Sequence, residues 1–125
     1  MFAYVTLGTN DLERSGEFYD ALLSELGAGR TMEMPDKLIG WATGAGSPML
    51  CAITPENGQP ATVGNGVMAA IAAENPAAVD KLYAKAIELG GTDEGKPGVR
   101  AEAFYIAYFR DLDGNKLNFF CSNDA

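Results

Sequence analysis

Phe18-Tyr19-Asp20-Ala21-Leu22-Leu23-Ser24-Glu25-Leu26-Gly27 returns 63 to 64 residues later as Leu82-Tyr83-Ala84-Lys85-Ala86-Ile87-Glu88-Leu89-Gly90. Each copy reads as an amphipathic helix with its own start and stop signals. In the first, Asn10 or Asp11 supplies the cap, Phe18, Leu22 and Leu26 share a face, and Gly27 offers the left-handed residue that ends a helix. In the second, Asn75 caps, Pro76 takes the first helical position, Val79, Leu82, Tyr83 and Ala86 form the buried stripe, and Gly90-Gly91 stops it.

Working outward, a strand-like run precedes each helix, at 2–8 and at 67–72. Extended segments follow each helix, cut by Gly, Pro or Asp-Gly: 29–34, 37–43 and 48–54 in the first half, 92–94, 104–109 and 115–121 in the second. The order βαβββ occurs twice. The sequence therefore predicts an α+β fold, a single domain over 1–125 made of a first module at 1–54, a Gly-, Pro- and Asn-rich connector at 55–64, and a second module at 65–125. Half the chain buries a helix and a four-stranded sheet poorly by itself, so the two sheets are expected to share a concave interior.

Composition narrows the function. Seventeen acidic against nine basic residues leave a net charge of −8, which repels phosphate backbones and anionic lipid, so neither nucleic acid nor membrane is an expected partner. The apolar run at 67–73 is too short to span a bilayer and no signal-peptide pattern opens the chain, which makes the cytoplasm the expected compartment. There is no histidine, so the commonest general base and the commonest transition-metal ligand are both missing. Cys51 and Cys121 lie apart within apolar runs and read as buried free thiols.

Three further stretches carry a family likeness: Val5-Thr6-Leu7-Gly8-Thr9-Asn10-Asp11-Leu12 leading into Phe18-Tyr19; Gly66-Val67-Met68-Ala69; and Tyr108-Phe109-Arg110-Asp111-Leu112-Asp113-Gly114-Asn115-Lys116-Leu117. With them the chain resembles the vicinal oxygen chelate superfamily, which includes glyoxalase I, bleomycin-binding resistance proteins, fosfomycin-resistance transferases and extradiol dioxygenases. The resemblance implies paired βαβββ modules curled into a cup and assembled as a homodimer. Metal-using members place a His on the first strand, a carboxylate on the fourth, a His or Gln on the fifth and a Glu on the last. In that register the positions fall at Tyr4, Val67 and Asn118, and the fourth strand, Met49-Leu50-Cys51-Ala52-Ile53, contains no carboxylate. The resemblance thus implies a protein that has lost the inherited metal site and needs no cofactor.

On the same likeness, period-two alternation turns Tyr4, Thr6, Val67, Ala69, Asn118 and Phe120 toward the cup, with Val5, Leu7, Leu117 and Phe119 packed behind them against the helices. Tyr108 is placed by similarity to the fosfomycin-resistance members, with Ile106 and Phe104 alongside, while Trp41 is set to close the mouth and Cys51 lies on the fourth strand. Ala69 aside, these ten residues make the expected small-molecule site, although alternating aromatics also suit an ordinary core. Lys96 and Arg100 flank Pro97-Gly98 and read as solvated charge or as the rim contact of an anionic ligand. Asp111-Leu112-Asp113-Gly114-Asn115 is a hairpin turn, because its Gly comes too early for a calcium loop. The leading expectation is ligand binding without bond chemistry. The alternative is a superfamily enzyme, a lyase, isomerase or dioxygenase, using a Tyr, Cys51 or a metal held through Glu33 and Glu102.

Overall fold

The computed structural model describes residues 1–124. It divides into two compact units, the second starting at Gly64. The first contains β1 (Tyr4–Gly8), α1 (Leu12–Ser24), β2 (Gly29–Met34), β3 (Leu38–Ala42) and β4 (Met49–Ile53). The second contains β5 (Ala69–Ala72), α2 (Pro76–Glu88), β6 (Thr92–Arg100), β7 (Phe104–Arg110) and β8 (Lys116–Ser122). Each forms a four-stranded mixed sheet, ordered β1-β4-β3-β2 and β5-β8-β7-β6. In both, the strand before the helix pairs in parallel with the last strand, and the other neighbours are antiparallel.

The helix ends follow from their residues. Asp11, not Asn10, caps α1, accepting from the backbone N–H of Arg14 at 3.0 Å. Asn75 does the same for α2 through the N–H of Ala78 at 2.9 Å, with Pro76 at the position where its missing N–H costs nothing. Gly27 and Gly90 take φ of 74° and 105°, where a side chain would strain the backbone. Asn10 serves elsewhere. Its amide bridges the N–H and C=O of Ala61 at 2.7 and 3.3 Å, and a Cβ on Gly8 would sit 3.0 Å from that of Ala61. The stretch read as a connector is thus bound to the first unit.

Each helix covers one face of its own sheet. Phe18, Tyr19, Leu22 and Leu23 are buried on α1, and Val79, Leu82 and Ala86 on α2. Tyr83 is only half-buried, because its hydroxyl donates to Asp93 at 2.8 Å, while Tyr105 on β7 donates to Asp80 on α2 at 2.7 Å. On the first unit, Asp20 accepts from Arg30 Nε and Nη2 and from the Trp41 indole N–H, all at 2.8 Å. The paired guanidinium holds the Asp20 carboxyl below the usual carboxylate range, against the opposing pull of desolvation.

A lowered folded-state pKa contributes stability that is fully present above the unfolded value of about 3.9 and is lost as pH falls through the lower folded value. Asp20→Asn keeps an acceptor for Trp41 but removes the charge. In urea denaturation from pH 2 to 7, the wild-type advantage over this variant is expected to hold at neutral pH and to shrink below about pH 4. An advantage that does not change with pH would show that the ion pair adds nothing.

Candidate functional site

Alternation along β7 and β8 sorts the second sheet into two faces. Ala107 lies opposite Phe119 and Phe109 opposite Leu117, all fully buried on the side covered by α2. Phe109 and Phe119 stack with ring centroids 5.1 Å apart and planes 15° from parallel. Tyr108 lies opposite Asn118 and Ile106 opposite Phe120, on the face away from the helix. Phe104, on that same face, packs against Phe120 at 4.9 Å.

The turn before β8 sets this register. Asp111 Oδ1 accepts from the N–H groups of Asp113 and Asn115 at 2.9 Å, Oδ2 accepts from Asn115 Nδ2 at 3.0 Å, and Gly114 takes φ of 88°. The carboxylate is spent on closing the hairpin.

Asn118 is the unusual member of the helix-free face. It is 2% exposed, its Nδ2 lies 3.6 Å from Sδ of Met68, and its carbonyl Oδ1 has no partner. A buried carbonyl without a hydrogen bond costs about 1–3 kcal/mol, so this arrangement is not what stability selects. Tyr108 beside it lies within reach of two cations, with Arg100 Cζ 5.7 Å and Lys116 Nζ 5.2 Å from its ring centre. Two glycines admit the arginine. A Cβ on Gly95 would sit 2.9 Å from Tyr108 Cδ2, and one on Gly98 would sit 2.8 Å from Arg100 Nη1. Arg100 therefore folds back along its own strand and donates to the Lys96 carbonyl at 2.8 Å.

Five of the ten expected site residues, Phe104, Ile106, Tyr108, Asn118 and Phe120, thus lie together on one face of the second sheet. Val67 does not join them. β5 starts at Ala69, and Val67 precedes it, 61% exposed, after a turn at Gly66. Ala70 and Ala72, rather than Ala69, lie opposite Asn118 and Phe120, so the expected register of this strand is off by one and Met68 fills the place beside the amide.

In the first unit, Thr6 pairs with Cys51 and Tyr4 with Met49 on the face away from α1. Cys51 is 1% exposed; a Cβ on Gly40 would meet Met49 Sδ at 3.0 Å and Cys51 Sγ at 3.1 Å. Burial raises its pKa, which keeps it a protonated thiol and unsuited to act as a nucleophile. Trp41 is a correction. It faces α1, 2% exposed, against Tyr19 at 5.3 Å, with its N–H on Asp20. Its parity matches Ile39, whose Cδ1 lies beneath Gly16, so it is core and not a cover for a binding site.

The residues at the family's metal positions do not fit a divalent ion. Tyr4 and Asn118 are poor ligands, Val67 has no donor, and among the described residues no three His, Cys, Asp or Glu side chains converge. Glu33 pairs with Arg30 at 2.9 Å, and Glu102 sits in the β6–β7 turn at φ of 61°.

The family model described as Glyoxalase/Bleomycin resistance protein/Dioxygenase superfamily matches residues 1–119. The chain belongs to that superfamily. Among superfamily structures, a glyoxalase/bleomycin resistance protein from Albidiferax ferrireducens T118 is 42% identical, with TM-score 0.87 over 96% of this chain and 97% of that one. A hypothetical protein from S. aureus is 33% identical, TM-score 0.72, over 96% and 94%. Lactoylglutathione lyase from Agrobacterium tumefaciens, 22% identical with TM-score 0.70 over 96% and 92%, shares the fold. No curated protein matches. Among the described residues no helix is long and apolar enough to cross a membrane.

Met68, Lys116 and the two glycines under Arg100 were not singled out by sequence as site residues. Gly95 and Gly98 are visible in the sequence only as a Gly-Lys-Pro-Gly run before Arg100, and nothing in that run shows that a strand carries it.

Proposed function

We propose that this superfamily member binds a small organic molecule on the helix-free face of its second sheet, without a divalent ion, and that binding rather than bond-making is its activity. One observation carries the reading: the Asn118 carbonyl is buried, unpartnered, and next to Tyr108 and the Phe104–Phe120 pair. A ligand hydroxyl or N–H supplies the missing donor, and the aromatic surface takes an apolar body. The buried, protonated Cys51 gives a catalytic reading no support.

Asn118→Leu separates binding from folding. Its amide makes only a weak N–H to sulfur contact, so the variant is expected to match wild type within about 1 kcal/mol in urea denaturation, or to exceed it. Native mass spectrometry of the gently purified protein should show an added mass on wild type that the variant lacks. A stability loss above about 3 kcal/mol would assign the amide to the fold instead.

Added Ni, Zn, Mn or Fe should leave the melting temperature unchanged, whereas a site at a hundredfold excess over Kd contributes about 2.7 kcal/mol. A saturable rise with one metal counts against the metal-free reading. By family likeness we also propose a cytoplasmic homodimer, for which sedimentation should give twice the chain mass.

A further inference from the structure

The geometry points to an organic anion as the ligand of the second sheet: an oxyanion drawn to Arg100 and Lys116 beside Tyr108, a hydrogen-bond donor on Asn118 Oδ1, and an apolar portion along Phe104 and Phe120. This rests on the binding reading above and adds the ligand's charge to it.

Charge is scarce and unevenly used here. The chain is strongly acidic, yet two cations lie within 6 Å of one tyrosine ring. Among the described residues neither is paired with a carboxylate. Arg110 shows what the same surface does when a carboxylate is available, since it is taken by Glu94 and by the Gly114 carbonyl. Arg100 donates only to the Lys96 carbonyl, through Nη2, which leaves the rest of its fork unused.

Neither cation has an anionic partner there, and an exposed cation–π contact returns only about 0.5–1 kcal/mol. An anion beside either one supplies the missing partner. A guanidinium already stacked on an aromatic face and anchored by a backbone carbonyl also loses less side-chain freedom on meeting a carboxylate or phosphoryl group than a free one does. Gly95 and Gly98 belong to this arrangement, because any side chain there would displace Arg100 or the Tyr108 ring. The cations face the charged end of the ligand, and the unpartnered carbonyl of Asn118, opposite Tyr108 on the neighbouring strand, cannot accept from an anion and so selects a neutral donor.

The test is a panel of small aromatic and aliphatic carboxylates and phosphate monoesters, each beside its neutral methyl ester or amide, titrated into the full chain and read by backbone NMR shifts. Acids are expected to shift β7 and β8 signals, and to bind at least tenfold more tightly than their neutral counterparts at low salt. The advantage should shrink as salt is raised. The carboxylate and phosphate arms identify which oxyanion is preferred. Arg100→Gln and Lys116→Gln should each weaken the acids about tenfold and leave the neutral compounds unchanged. Arg100→Lys should recover part of the loss, and Asn118→Leu should weaken acid and neutral compounds that carry a donor alike. Neutral members binding at Asn118 as tightly as the acids would overturn the anion inference and leave the binding reading standing. No shift on this face from any member would overturn both.

Discussion

Phe119→Ala is expected to lower stability by about 3–5 kcal/mol, enough to threaten a folded state whose whole margin is about 5–15 kcal/mol. Phe119 is fully buried, stacked on Phe109, and lies beneath α2 with Ala107 and Leu117. Removing its ring opens a cavity that rigid sheet neighbours cannot fill. Its neighbour Asn118, one residue away and on the opposite face, is expected to be nearly neutral toward stability when replaced by leucine. Urea denaturation of both variants provides the comparison. Equal losses would mean that the two faces of β8 do not differ in the way their burial and partners indicate.

Trp41→Ala is expected to cost a similar 3–5 kcal/mol and to leave ligand binding on the second sheet unchanged. The indole fills the space between β3 and α1, packs on Tyr19, and donates to Asp20. Trp41→Phe, which keeps much of the packing but removes the N–H donor, should lose less. Denaturation midpoints together with titration of the acid panel decide the matter. A variant that stays stable but loses ligand would restore Trp41 to the binding surface.

Both helices were legible because their signals are local. Asn75-Pro76 marks the second start and Asn10-Asp11 the first to within a residue, spaced apolar residues fix the buried face, and Gly27 and Gly90 fix the ends. The hairpin at Asp111 was legible for the same reason, and with it the opposite orientations of Asn118 and Phe119. Three features depended on what lies elsewhere in the fold. The extended segment read at 92–94 leaves Gly95-Lys96-Pro97-Gly98 outside it, yet β6 runs from Thr92 to Arg100. A strand at the sheet edge tolerates Pro97 and two register shifts because one side of its backbone has no ladder to satisfy.

The register of β5 was misread because Val67-Met68-Ala69-Ala70-Ile71-Ala72 carries no alternation. Small and apolar residues suit either face, so only pairing with β8 decides it. Trp41 was misplaced because a lone tryptophan signals burial without saying against what. Its neighbours Leu38, Ile39 and Ala42 are buried too, so β3 has no polar face to orient it.

The parallel pairing of first strand with last sets the order of assembly within each unit. The β2-β3-β4 and β6-β7-β8 meanders close through short turns at low entropic expense. Joining Tyr4 to Met49, or Ala69 to Leu117, requires the helix and two strands between them to be gathered first. Strands β1 and β5 are therefore expected to dock last, which the protection of their amides from hydrogen exchange would test. In the second unit the late strand is immediately preceded by Met68, the residue against the Asn118 amide, so transient loss of β5 would uncover that amide while the β7–β8 ladder beneath it stays intact.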